Sequence, residues 1–293
     1  MRWILLAILF LGGAWWIAFH YAPLASFNTL VPKDRGSRLV ANDVAYGPLF
    51  RQHLDIYAPV GPLKKRPVMV FFYGGAWATG ARGDYSFVGR ALAAQGFVVI
   101  IPDYRLVPEV RFPAFLEDGA AAIRWVRDNI AKAADGAPDR IVLAGHSAGA
   151  YNAAMLALNP HWLGPDRGYV RGLAGLAGPY DFLPFDDPAA IAAFGNWPRP
   201  QETQPVHFAG SGDPPAFLAT GDRDTRVRSR NSNSLALRLS EHGIPVERRR
   251  YANVDHAGMV ILLSRPLRHR APLFQDVVRF AHRVTGTRVS TDR

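Results

Sequence analysis

The segment Ile141-Val142-Leu143-Ala144-Gly145-His146-Ser147-Ala148-Gly149-Ala150 constrains this chain more than any other. Its apolar start has the character of a strand buried on both faces. Ala150–Leu158, halted by Asn159-Pro160, has that of a helix and its stop. Between them Gly145 and Gly149 allow a sharp strand-to-helix turn that holds Ser147 strained and exposed. A phosphate-binding turn at a helix N-terminus would share the glycines. That alternative predicts no acid and no base at suitable places downstream, so the rest of the chain decides.

The surrounding pattern alternates β-rich and helical stretches. Strands are predicted at Arg38–Tyr46, Gln52–Tyr57, Val68–Tyr73, Val98–Pro102, Ile141–Gly145, Val170–Leu176, Ala216–Thr220 and Val246–Tyr251. Helices are predicted at Asp84–Gln95, Pro113–Ala134, Ala148–Leu158, Val227–His242 and Pro272–Val284. Such alternation implies an α/β fold: a mostly parallel eight-stranded sheet with helices on both faces. The short Gly47–Arg51 connection makes the first two strands an antiparallel hairpin at one edge. Residues 184–215 are rich in Pro and aromatics without a period, which is the character of a small cap. A chain of 293 residues, 49% hydrophobic and 20% charged, suits one large α/β domain and excludes disorder.

A serine hydroxyl is inert at neutral pH unless a base takes its proton, and the base needs a carboxylate to orient it. Downstream of Ser147 the histidine best placed is His256, in Ala252-Asn253-Val254-Asp255-His256-Ala257-Gly258-Met259. It follows the last strand, at the carboxyl edge where open α/β sheets build their sites. The acid is sought in Gly221-Asp222-Arg223-Asp224-Thr225-Arg226-Val227, after another strand. Asp224 is preferred to Asp222, although either could simply cap the helix that follows. An oxyanion also needs backbone donors. Phe72-Tyr73-Gly74-Gly75-Ala76-Trp77 lets the main chain approach a ligand, and the Ala148 amide would add a donor.

The N-terminus points to a membrane. Residues 3–19 carry no charge, and Lys33 is the next charged residue after Arg2. Seventeen residues of helix span about 25 Å, the short end of what a bilayer core needs. Trp15, Trp16 and Tyr21 lie at the far end, where aromatic side chains settle at the interface. The organisation expected is a membrane anchor (or uncleaved signal) over residues 1–30, a linker over 31–37 and the α/β domain over 38–293. The domain would face the periplasm or exterior, and would be secreted if the segment is cut. There is no cysteine, which excludes disulfide scaffolds, zinc ribbons and a thiol nucleophile. The balance of 34 Lys+Arg against 24 Asp+Glu gives +10. Its arginine clusters, such as Arg223/Arg226/Arg228/Arg230, show no nucleic-acid motif and are read as solvated basic surface, with attraction to acidic lipid as the second reading.

In combination these motifs resemble α/β-hydrolase carboxylesterases of the hormone-sensitive-lipase and bacterial feruloyl-esterase-like groups, which include kynurenine formamidases. The resemblance rests on Tyr73-Gly74-Gly75-Ala76-Trp77, Pro102-Asp103-Tyr104-Arg105-Leu106 with Pro108-Glu109, Phe112-Pro113-Ala114 with Asp118, Gly145–Gly149, Gly221–Val227 and Asp255-His256. It implies Ser147, Asp224 and His256 as a catalytic triad and Gly74, Gly75 and Ala148 as oxyanion donors. Asp103, Tyr104 and Arg105 would brace the oxyanion loop. It also implies a small-molecule ester substrate with a short- to medium-chain acyl group, and no metal or organic cofactor. One departure stands out: the family's His before Gly-Gly is Tyr73. Trp77, Phe194, Trp197 and Phe208 are the candidate walls of an apolar acyl pocket. An amidase or peptidase and an acyltransferase would use the same triad, whereas a non-catalytic module of this fold would normally have lost part of it.

Overall fold

The structure, a computed structural model, describes residues 23–61 and 65–287. The expected membrane segment, residues 3–19, lies outside them. No helix among the described residues is long and apolar enough to cross a membrane.

Eight strands form one sheet: β1 (Ser37–Ala45), β2 (His53–Pro59), β3 (Arg66–Phe72), β4 (Val98–Pro102), β5 (Gly136–His146), β6 (Val170–Leu176), β7 (Ala216–Gly221) and β8 (Val246–Tyr251). Their order is β1-β2-β4-β3-β5-β6-β7-β8. β2 runs antiparallel to both neighbours, and the remaining pairings are parallel. β3, β4, β7 and the Ile141–His146 part of β5 are almost wholly buried, because helices cover both faces. Each Val or Ile buried there contributes roughly 1.5–3 kcal/mol.

The helices are α1 (Pro23–Leu30), α2 (Ser86–Ala93), α3 (Ala114–Ala134), α4 (Ala148–Leu158), α5 (Pro160–Leu163), α6 (Pro188–Phe194), α7 (Arg230–Glu241), α8 (Gly258–Ile261) and α9 (Leu273–Val284). The strand order explains where the cleft must open. The chain steps one way along the sheet from β3 to β4 and the opposite way from β4 to β5 and onward. Crossovers are right-handed, so α2 falls on one face while α3 and α4 fall on the other. β3 and β5 are neighbours whose following helices leave to opposite faces, which opens a crevice at their carboxyl ends. Ser147 stands at that point.

The structure differs locally from the sequence expectations at several points. The first helix predicted after β3 opens as a 3-10 turn, Arg82–Tyr85, before α2 begins. β5 begins at Gly136, ahead of the predicted Ile141, directly after Asp135 ends α3 in a left-handed conformation (φ 51°). The stretch after residue 30 is not a free linker: Val31 and Ser37 are buried, and Asp34 pairs with Arg268 at 2.6 Å. α1 is docked too, because Asn28 accepts from the Ser86 hydroxyl (2.8 Å) and the Phe87 amide (3.0 Å). In the cap, α6 and two 3-10 turns (Pro200–Thr203, Pro205–Phe208) replace the irregular chain expected.

Candidate active site

β5 delivers Ser147 in a backbone conformation that few residues adopt, with φ 55° and ψ −124°. The turn closes only because its flanking residues lack side chains. A Cβ on Gly145 would stand 2.4 Å from the Gly149 carbonyl group, and one on Gly149 would stand 2.0 Å from the Phe72 oxygen. This is the close approach that the G-x-S-x-G spacing predicts.

β7 and β8 deliver the partners. The Ser147 Oγ and His256 Nε2 are 2.8 Å apart, and the His256 Nδ1 lies 2.8 Å from the Asp224 Oδ2. With a neutral imidazole, Nδ1–H donates to the carboxylate and Nε2 accepts the serine proton. Asp224 serves as turn former and orienter at once. Its Oδ1 accepts the Arg226 and Val227 amides at 3.0 and 2.9 Å while Oδ2 holds the imidazole. Fixing those two amides delays α7 to Arg230, three residues beyond the predicted start. Burial works to raise the Asp224 carboxyl, but the His256 hydrogen bond and charge, with the two amides, outweigh it and hold it below the ordinary value. Asp222 is exposed and takes no part.

A second histidine, His146, lies beneath the first, their ring centroids 4.9 Å apart. Its Nε2–H donates to the His256 carbonyl at 3.0 Å, which fixes the backbone that carries the base. Burial foremost, then the neighbouring His256, pushes His146 down to about 3. It is therefore neutral throughout the range in which an imidazole base works.

The oxyanion arm follows β3. Ala76 and Trp77 take positive φ (54° and 58°) and Gly75 φ 133°, turning the chain back toward the nucleophile. Gly75 could carry no side chain, since a Cβ would stand 2.1 Å from the Thr79 oxygen. Gly74 differs from the expectation. Its N–H donates to the Tyr85 hydroxyl at 3.1 Å and so is spent, while its missing side chain lets His146 and Ser147 pack against it. Among the described residues, the Gly75, Ala76 and Ala148 amides have no acceptor. Ala76 and Ala148 line the cleft beside Ser147. Ala76 was missed because its Cβ disguises a position of glycine-like conformation.

Tyr73, which stands where the resembled family has His, braces the oxyanion arm. Its hydroxyl donates to the Asp103 Oδ1 (2.8 Å) and accepts from the Arg51 Nη2 (2.8 Å), and its carbonyl accepts from the Tyr104 hydroxyl (2.8 Å). Asp103 also takes the Arg82 amide at 2.8 Å and pairs with the Arg82 guanidinium, which in turn holds Asp55. Arg105 braces one step further out, through the fully buried Asp118 at 2.9 Å. Burial pushes the Tyr73 phenol well above its ordinary value, so it stays a donor. Arg51, Arg82 and Tyr85 carried no motif of their own and were not anticipated.

The cleft has a volume of about 450 Å³. Of the four aromatics proposed as its walls, Trp77 alone lines it. Phe194 is buried against Trp77 (4.8 Å between ring centroids), Trp197 packs on Phe112 (4.8 Å), and Phe208 is half-buried away from the cleft. Phe194 packs onto Phe112 and Phe115, and Trp197 onto Phe112, which draws both rings away from the cleft. Phe182, Val227 and a set of charged residues face the cleft instead. No group of three or more His, Asp or Glu with metal-holding geometry occurs among the described residues.

A serine, an aspartate and a histidine beyond the carboxyl ends of the parallel strands β5, β7 and β8 define an α/β hydrolase with a serine nucleophile. Comparison with known proteins narrows the class. The sequence profile of the prolyl oligopeptidase family matches residues 116–288, and the chain belongs to that family. The BD-FAE profile matches residues 54–167. Carboxylesterase NlhH of Mycobacterium tuberculosis is 34% identical over 215 residues, covering 64% of this chain and 65% of that protein. A probable isoprenylcysteine alpha-carbonyl methylesterase of rice is 40% identical over 123 residues, covering 42% of this chain but 29% of that protein. Esterase B of Lactobacillus rhamnosis shares the fold, with a TM-score of 0.77 at 19% identity over 96% of this chain and 97% of that one. The motif resemblance to α/β-hydrolase carboxylesterases of hormone-sensitive-lipase type is thus borne out.

Proposed function

We propose that this protein is a serine carboxylesterase. The observation that carries the reading is the unbroken Ser147–His256–Asp224 relay, with both contacts at 2.8 Å. His256 takes the Ser147 proton as Oγ attacks the ester carbonyl, and Asp224 stabilises the imidazolium that forms. The tetrahedral oxyanion lies against the Gly75, Ala76 and Ala148 amides, each such donor being worth about 2.7–4 kcal/mol. His256 then protonates the departing alcohol. Water, deprotonated by the same imidazole, releases the acid from the acyl-enzyme. The 450 Å³ cleft suits small esters with short- to medium-chain acyl groups.

The family's name favours a second reading, peptide bond cleavage by the same relay. Side-by-side turnover of p-nitrophenyl esters of rising chain length and the matching p-nitroanilides separates the two. The esterase reading predicts ester turnover falling beyond medium acyl chains and little anilide cleavage. Preferred anilide cleavage overturns it, and transfer to added glycerol in preference to water identifies an acyltransferase.

For location, the uncharged run at residues 3–19 favours an anchor with the hydrolase domain outside the cytoplasm. Alkaline carbonate extraction of membranes tests this. Retention in the pellet with Met1 or Arg2 as the mature N-terminus is expected, and release with a shortened N-terminus would identify a secreted protein.

A further inference from the structure

Arg226, Arg228 and Arg230 all line the cleft that holds Ser147 and His256. All three are exposed, and none makes a side-chain hydrogen bond or ion pair among the described residues. Arg226 is near enough to the relay to depress the buried His146. The loop that carries them is fixed at both ends. Asp224 holds the Arg226 and Val227 amides, and Asn231 accepts from the Tyr180 and Asp181 amides at 2.9 and 2.8 Å. Two acids line the same cleft from the cap, Asp186 and Asp187. The Asp187 carboxylate is already engaged, capping α6 through the Ala189 and Ala190 amides. Three guanidinium groups within five residues repel one another, and a bound anion would relieve that repulsion.

We propose that Arg226, Arg228 and Arg230 form a specificity site for an anionic ester, one bearing a carboxylate or phosphate on its acyl or its alcohol part. Guanidinium groups recognise both anions by paired, charge-assisted hydrogen bonds. The proposal rests on the serine esterase reading and adds the chemical class of its substrate.

The test uses the full-length chain in detergent and two matched ester pairs. On the acyl side, mono-p-nitrophenyl glutarate is compared with its methyl ester; on the alcohol side, 4-acetoxybenzoate is compared with its methyl ester. In at least one pair the anion is expected to show about tenfold higher kcat/KM than its neutral partner, the scale of one charge-assisted hydrogen bond. The pair that shows it assigns the side. That ratio should shrink in 0.5 M NaCl and fall toward one in R226Q/R228Q/R230Q, with part of it kept in R226K/R228K/R230K. Ratios at or below one in both pairs overturn the proposal while neutral-ester turnover leaves the esterase reading intact, as does a ratio that the triple Gln variant does not change. Failure to hydrolyse any of the four esters would instead sink the esterase reading and the proposal with it.

Discussion

The two walls of the cleft are built on different principles. The oxyanion wall, from Tyr73 to Trp77, is held by a buried lattice that pairs Tyr73 with Asp103 and Arg51, Tyr104 with the Tyr73 carbonyl and Tyr85 with the Gly74 amide, and leaves the Gly75 and Ala76 amides without an acceptor. The facing wall, Thr225 to Arg230, is anchored by its backbone while its charged side chains reach into solvent unpartnered. Buried polar groups left unpaired are costly, so the first wall tolerates few alternatives. Exposed arginines incur no such cost and are free to be shaped by what the cleft receives. Catalytic geometry and substrate choice are in this way physically separated.

Substitutions on either side should separate them experimentally. The largest effect is expected at the relay. Ser147→Ala should lower kcat on the order of 10⁶-fold, as removal of such a nucleophile does elsewhere. Asp224→Asn should lower it by about 10⁴-fold by presenting the wrong tautomer, whereas Asp222→Asn should stay near wild type. Equal losses in the two Asp variants would move the acid elsewhere. On the braced wall, Tyr73→Phe removes two hydrogen bonds to charged partners. It should cost about 2 kcal/mol of stability, read as a melting temperature lowered by about 4–8 °C, and should reduce kcat more than it changes KM. Tyr73→His, which restores the family residue, should recover part of both. A Tyr73→Phe protein with wild-type melting and kcat would remove the lattice from the account.

A further effect concerns pH. His146 binds a proton near 6.5 when unfolded but only at about 3 in the native state. The unfolded chain therefore takes up more protons in between, so this contribution to stability is complete above 6.5 and is lost as pH falls toward 3. His282, which burial also holds below its ordinary value, acts with the same sign, and the contribution of Asp224 is present above the carboxylate range and lost only as pH falls below it. His146→Asn should flatten denaturation midpoints measured between pH 6.5 and 4 relative to wild type. An unchanged slope would show that His146 is not held neutral by burial.

What the sequence disclosed follows the same division. Strands with continuous apolar runs were legible, and β4 and β6 fall where predicted, because burial on both faces leaves little other composition open; β8 also falls where predicted, although this sheet-edge strand is charged and largely unburied. The relay was legible because strand ends place it and glycines mark its turns. Gly74 was misassigned as a donor because its role depends on Tyr85, eleven residues away on a turn with no motif. Phe194, Trp197 and Phe208 looked like pocket walls because side-chain direction in an aperiodic cap cannot be read from composition. The cluster Arg226/Arg228/Arg230 looked like solvated surface. Its position two to six residues beyond the acid, at a strand's carboxyl end, was the available sign that it lines the cleft.

The most direct test of the relay is covalent. A fluorophosphonate probe reacts only with a serine whose proton a neighbouring base removes. Incubated with the full-length chain, it should add one adduct, located by peptide mass spectrometry on Ser147 and lost in both Ser147→Ala and His256→Ala. A chain that stays unlabelled, or an adduct that maps to another residue, would contradict the account.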